Sequence, residues 1–336
     1  MYRFVPHPDK KLTKIQQIVK AVKTDIEKGI LEADFQLPSI NDFSEKYGVA
    51  RDTIEKAYRE LKKDGFVASV AGKGYFVLGK KEKRLKVLLV FNKLSSYKRI
   101  LYDSILETFG TTAKVDLQIH HYNPQLLKEI LESSKDNYHY YVVMPHFFYD
   151  SKKEQYLKIL KKVPENKLVL LDKMLPELEG EYMAVYQNFR QDIFDALTSS
   201  TDLLEKYEKL LLVFPKFKHY PLEITEGSEM FCQENNKEFK IIDSTASEKV
   251  EKGSVYLVTS DADLANIIKK IKTSGFVLGT DVGIISFNET VLKELLDITV
   301  ITTDFEAMGR TAATLILNKN FSKVKNPFTV IRRGSI

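Results

Sequence analysis

The chain has 336 residues, with 51 Lys and Arg against 46 Asp and Glu, a formal net charge of +5. At roughly 100–200 residues per domain, that length implies two or three folding units. A hydrophobic content of 43% with 29% charged residues excludes a disordered chain, a collagen and a disulfide-stapled mini-protein. No stretch reaches the roughly 20 apolar residues of a membrane-spanning helix. Residues 1–14 are polar and lack the apolar core of a secretion signal. The single Cys232 leaves no internal disulfide and fits a reducing compartment, so a cytoplasmic location is expected.

Charge divides the chain. Residues 1–86 hold 19 Lys and Arg against 12 Asp and Glu, while residues 87–336 hold 32 against 34. A basic head on a slightly acidic body points to a polyanionic partner for the head, although so modest an excess also arises by chance. In the head, Thr13 can cap a helix running to Lys28, with Ile15, Ile18, Val19, Val22 and Ile26 on one face. Gly29 supplies its stop. Pro38-Ser39 opens a short helix over 39–46, and Gly48 sits where a tight interhelical turn needs positive φ. A further helix over 50–63 turns Ile54, Ala57, Tyr58 and Leu61 inward. Two short strands, 66–70 and 75–78, flank a glycine-rich tip at residues 71–74. Helix, helix, tight turn, helix and hairpin make a winged helix-turn-helix.

The run Lys80–Lys86 reads as a solvated joint, giving a head over 1–79, a linker over 80–86 and a body over 87–336. In the body, short apolar runs alternate with amphipathic segments. Strands are expected at 85–91, 114–121, 140–144, 167–171, 182–186, 209–214, 239–242, 254–258, 282–287 and 328–332. Helices are expected at 97–109, 124–134, 151–162, 190–206, 222–235, 261–274, 289–295 and 304–318. This alternation predicts βαβ units, hence an α/β fold with parallel sheets; about 250 residues of it predict two lobes. Ligands of such sheets bind beyond the carboxyl ends of the strands.

The head resembles the GntR-type DNA-binding domain over roughly 65 residues. Leu37, Pro38, Ser39, Gly48, Val49, Arg51, Thr53, Leu61, Gly65, Gly72, Gly74 and Val77 match that family's pattern. Three positions depart from it. Asn41 stands where the family often has Arg, Ala50 replaces the Ser that caps the recognition helix, and Glu55 occupies a position that is often basic. The resemblance implies duplex DNA as partner, read in the major groove by the first turns of the third helix. On it, Arg51 reads a guanine edge or holds a phosphate; a solvated helix-surface charge is the plain alternative. Thr53 and Ser39 contact phosphate, and Ser39 serves equally well as a simple N-cap. Asn41, Asp52, Lys56, Lys73 and Gly74 complete the expected DNA surface; Asp52 also suits a helix N-terminus on electrostatic grounds alone.

Residues 279–318 resemble the LacI-type, periplasmic-binding-protein-like effector domain, through Phe287-Asn288-Glu289 and through Asp304, Phe305, Glu306, Met308, Gly309 and Ala312. The terminal strand Phe328–Arg333 and the pair Asp172-Lys173 fit as well. The resemblance implies two lobes joined by three crossovers, placed near 174–184, 289–303 and 319–327. Lobe one would then hold about 87–173 and 304–318, and lobe two about 185–288 and 327–336. At the strand ends lie Asn92, Tyr97, His146, Phe147, Asp172 and Lys173 in lobe one. Gln187, Asn188, Phe214, Lys216, Asp261 and Asn288 take the matching places in lobe two. Amides, carboxylates and aromatic rings suit a polyhydroxylated ligand, so a sugar or sugar derivative is the expected effector. Each of these residues alone is also an ordinary loop polar group or core aromatic, and Asp261 can simply cap its helix.

The six histidines, His7, His120, His121, His139, His146 and His219, make no metal-ligand spacing. No phosphate loop, dinucleotide glycine motif or nucleophile elbow occurs. No cofactor, metal or catalytic residue is expected. The reading is a ligand-responsive regulator, a repressor that binds a palindromic operator as a homodimer without a membrane partner. The competing reading is a soluble binding protein or an enzyme on the same two-lobed scaffold.

Overall fold

The computed structural model describes residue 4 and residues 12–78, 84–148, 150–215 and 220–336. Lys216 and residues 80–83 of the expected joint lie outside them. The chain folds as two units, the second beginning at Arg84. Among the described residues no helix is long and apolar enough to cross a membrane.

The head runs α1 (Lys14–Glu27), α2 (Ile40–Tyr47), α3 (Arg51–Lys63), β1 (Val67–Val70) and β2 (Gly74–Val77). Thr13 and Gln16 form a reciprocal capping box at α1, which satisfies two otherwise orphaned N–H groups. Gly48 ends α2 at φ 61°, so the chain reverses into α3 within three residues. Ile18, Val22, Ile26, Ile54, Tyr58 and Leu61 are buried together, as the helical spacing requires. The Tyr58 hydroxyl donates to the Pro38 carbonyl at 2.9 Å, tying α3 to the segment that opens α2. β1 and β2 pair antiparallel, with Val67 opposite Val77 and Val70 opposite Gly74.

The first sheet of the body is built from β3 (Leu85–Phe91), β4 (Ala113–Ile119), β5 (Tyr140–Val143), β6 (Leu168–Lys173), β7 (Met183–Gln187) and β13 (Lys323–Lys325). Its order is β13-β7-β6-β5-β3-β4, parallel throughout. The second holds β8 (Lys209–Val213), β9 (Glu238–Ile242), β10 (Ser254–Val258), β11 (Val282–Phe287), β12 (Thr299–Thr303) and β14 (Phe328–Ile331). Its order is β14-β12-β11-β10-β8-β9, with only the β12–β14 pair antiparallel. Helices α4 (Ser96–Phe109), α5 (Pro124–Ser133), α6 (Lys153–Leu160) and α12 (Phe305–Asn318) belong with the first sheet. Helices α7 (Phe189–Thr198), α8 (Thr201–Leu204), α9 (Glu223–Glu234) and α10 (Asp261–Ser274) belong with the second. The short α11 (Val291–Leu295) follows β11.

Three differences from the sequence reading matter for the cleft. β7 belongs to the first sheet, pairing in register with β6, so lobe one extends to Gln187. β12 is a strand of the second sheet, although residues 289–303 read as a crossover. Its five residues, three of them Thr, are all buried. Thr299 accounts for its polar atom by donating to the Arg333 carbonyl at 3.0 Å. The three crossovers therefore fall at residues 187–189, 303–305 and 325–328. The expected helix over 190–206 is also broken. Ser199 and Ser200 hydrogen-bond back to the Ala196 carbonyl between α7 and α8.

Asn326 ties the crossovers together. Its side-chain amide donates to the carbonyls of Asp304 and Pro327, each at 3.0 Å, and its backbone N–H donates to Tyr186 at 2.8 Å. In lobe one, α12 lies directly on α4 at Gly309, where a Cβ would stand 2.6 Å from the Leu101 carbonyl oxygen.

Candidate functional site

The carboxyl ends of both sheets face a cleft with about 810 Å³ of non-atom space, part of it open to solvent. Lobe one contributes Asn92 and Lys93 after β3, Tyr97 and Lys98 from α4, Tyr122, His146 and Asp172. Lobe two contributes Tyr220, Pro221, Ile224, Phe287 and Asn288. The crossovers supply Phe189, Thr303, Phe305 and Phe328. The floor is aromatic, and Tyr97 stacks on Phe305 with centroids 4.9 Å apart.

Local structure aims these side chains. Ser95 caps α4 by accepting from the Lys98 N–H, which sets Lys98 in the first helical turn above the end of β3. The Lys98 side chain is 3% exposed and donates to Asn92 Oδ1 and to Met144 Sδ. Burial pushes its ammonium down to about 8, against the opposing pull of Asp172. Asp172, the next-to-last residue of β6, has φ 70°, a left-handed conformation that turns the carboxylate out of the strand's alternation. His146 donates from Nε2 to Asp172 Oδ2 at 2.9 Å. Burial holds His146 below the ordinary imidazole range. Burial opposes the Asp172 charge, but His146 and Lys98 outweigh it and keep the carboxyl below its usual value. Lys93 lies 5.8 Å from the Tyr97 ring centre; desolvation lowers it, yet Tyr97 and Tyr122 lift it above the ordinary lysine value.

The structure brings Asn92, Tyr97, His146, Asp172 and Asn288 to the cleft wall. Others go elsewhere. Phe147 stacks on Tyr156 in the lobe-one core, centroids 4.4 Å apart. Lys173 pairs with Glu223 of α9 at 2.9 Å, bridging the lobes. Gln187 is buried at the end of β7, with neither amide atom partnered among the described residues. Asn188 is a crossover residue whose N–H donates to Asp192. Phe214 packs with the lobe-two core beside Tyr220. Asp261 points outward, 79% exposed, and pairs with the buried Lys293; Ser260, not Asp261, caps α10. The triplet's Glu289 is held by Arg333 at 2.8 Å, which makes it a strut within lobe two.

Sequence reasoning missed Lys98, Tyr122, Phe189, Tyr220, Thr303 and Phe328. Lys98 carried a readable signal, a lysine three residues after a serine cap beyond a strand. The crossover residues carried none, because their place depends on how two sheets meet.

On the head, Arg51 opens α3, exposed and without an ion pair among the described residues. Ala50 gives α3 no side-chain cap. Thr53 is half-buried one turn in, and Asn41 is exposed in the first turn of α2. The Ser39 hydroxyl is engaged twice by Asp42, accepting from its N–H and donating to its carboxylate. Asp52 and Lys56 neutralise each other at 2.7 Å, as Glu55 and Arg59 do at 2.5 Å. Lys73 and Gly74 form the wing tip, with Gly74 at φ 104° and the Lys73 carbonyl held by Gln36.

Residues 14–77 match the family model "Bacterial regulatory proteins, gntR family". The transcriptional regulator TreR of Bacillus subtilis is 31% identical over 108 residues, which are 32% of this chain and 44% of that protein. The chain thus spans under half the length of that curated relative. Among solved structures, the trehalose repressor of Escherichia coli superposes with a TM-score of 0.60 at 16% identity, over 74% of this chain and all of that one. The Lac repressor bound to ONPG gives 0.62 at 13% identity, over 86% and 92%. At such identities the likeness is one of fold. Residues 14–77 are therefore a winged helix-turn-helix domain of the gntR family, joined to a body with the fold of LacI-type regulators.

Proposed function

We propose that the protein is a transcriptional repressor, not an enzyme, which acts on cytoplasmic DNA and is controlled by a sugar or sugar derivative bound between its lobes. The observation that carries this reading is the pairing, in one chain, of a gntR-family head with a two-lobed body whose cleft is lined by amides, charges and aromatic rings. A compared regulator with this body fold is named for a sugar, trehalose. Ligand binding between lobes shifts a two-state closure, and closure biases the heads.

Homodimerisation on a palindromic operator belongs to the same reading, because one winged helix covers too few base pairs. α11 leaves Val291, Leu292 and Leu295 between 70% and 75% exposed, an apolar face of the kind a second copy covers. A gel-shift assay with the protein's own upstream DNA at stated salt tests the head. Retardation of a palindromic fragment is expected, and none with any such fragment refutes the reading. Arg51→Ala should weaken operator binding by about 1–3 kcal/mol, since the exposed guanidinium at the start of α3 suits a guanine edge. Unchanged affinity would make Arg51 a solvated side chain.

A further inference from the structure

The cleft wall carries more positive than negative charge. Lys93 and Lys98 face it, and Asp172 is the one carboxylate among the described residues that line it. That carboxylate is already engaged by His146. Lys98 is almost fully buried, and its hydrogen-bond partners are a neutral amide oxygen and a thioether. Among the described residues neither lysine forms a salt bridge, and the Asp172 charge that acts on Lys98 does so without a direct contact. Burying an ammonium without a counter-ion is costly unless something else supplies the charge. The surrounding walls, Tyr97, Tyr122, Phe189, Tyr220 and Phe305, are aromatic, so a charge entering there is poorly screened. Lys98 also stands in the first turn of a 14-residue helix, whose N-terminal end favours negative charge.

We propose that the effector is an acid, a sugar-sized molecule whose oxyanion, a carboxylate or a phosphate ester, sits on Lys93 and Lys98 while Asp172 accepts from its hydroxyls. This rests on the cleft being the effector site proposed above. It narrows the ligand from sugars in general to aldonates, uronates or sugar phosphates. The lowered position of Lys98, about 8, agrees with an ammonium whose burial outweighs the pull of Asp172. The charged and titratable groups around it are Lys93 beside β3, His120 after β4, His146 after β5 and Asp172 on β6. Burial holds both histidines neutral at pH 7, and Asp172 stays ionised. Between pH 7 and 9 the change in cleft charge therefore comes from Lys98, and acid binding weakens as pH rises through about 8.

The test is calorimetric titration of the full-length protein with pentoses and hexoses, their aldonates, their uronates and their terminal phosphates, at constant ionic strength. One acid class should bind at least about 10-fold tighter than its neutral parent, and which class does so separates carboxylate from phosphate. Lys98→Met and Lys93→Met should each weaken that acid by about 10- to 100-fold, the scale of a charge-assisted hydrogen bond, and erase most of the acid's advantage over its neutral parent. Lys93 is half-exposed, so its variant keeps the test sound if Lys98→Met folds poorly. Three results overturn the proposal: no acid binds, a neutral sugar binds as tightly as its acid, or both variants bind the acid like the parent protein. A neutral sugar that binds as tightly as its acid and alters operator retention would sink the acid proposal and leave the regulator reading standing. Loss of the regulator reading shows separately, as absence of any gel shift.

Discussion

His120 shows how much a single buried group can impose on this protein. Its Nε2 donates to the Met144 carbonyl at 2.9 Å, and its Nδ1 has no partner among the described residues, as a neutral ring allows. Burial depresses it from 6.5 to about 4. The unfolded chain takes up a proton below about 6.5 and the folded chain only near 4. The stability is thus complete above pH 6.5 and lost as pH falls through that window. The loss is on the order of 3 kcal/mol for this one residue. Urea unfolding of the body at pH 7, 5.5 and 4 should show the decline, and His120→Gln should flatten it. The opposite kind of residue effect lies at Ala50, which gives the reading end of α3 no side-chain cap. Ala50→Ser should raise the stability of the head by about 1 kcal/mol in chemical denaturation. No gain would mean that the first turn of α3 is already satisfied by other groups.

Elements were legible in proportion to how local their causes are. Thr13, Ser39 and Gly48 cap or end their helices as their types demand, so the head's elements lie within one residue of expectation. β3 from Val87 onward and the whole of β10 and β11 are buried on both faces and mostly apolar, the pattern of interior parallel strands. β12 was illegible because its threonines look polar until their partners are known, and β13 because three alternating residues are too few to show a period. The α4–α12 contact turns on Gly309. Ala is the better helix former by about 1 kcal/mol, but a Cβ here would press on the Leu101 carbonyl, and overpacking typically costs 1–3 kcal/mol. Packing against backbone cannot relax by a rotamer change, so Gly309→Ala should lower the melting temperature of the body. An increase would show that α4 yields.

At the scale of the whole molecule, the lobes are joined by three short crossovers and bridged by Lys173 and Glu223. Burial opposes the Glu223 charge, but Lys173 overcomes it and holds the carboxyl below its usual value. The pair forms only when the lobes approach, so it favours the closed arrangement. Both partners are roughly a third exposed, which limits the contribution to about 0.2–1 kcal/mol. Glu223→Gln should therefore weaken cleft-ligand affinity by no more than about 5-fold. It should also enlarge the radius of gyration in small-angle scattering; identical scattering and affinity would show that the bridge does not hold the lobes.

The amino-acid sequence by itself determined the basic head and its motif spacing, the alternation of strand and helix, and five residues of the cleft wall. These follow from caps, turns and apolar periodicity, which act over a few neighbouring residues. Only the tertiary structure decided that β7 joins lobe one and β12 joins lobe two, and that Lys98, Phe189 and Phe305 meet Asn288 across one cleft. The physical reason is separation along the chain. A strand buried on both faces reads alike in either sheet, and its place is set by backbone partners far away in sequence, as β7 meets β13 more than a hundred residues on.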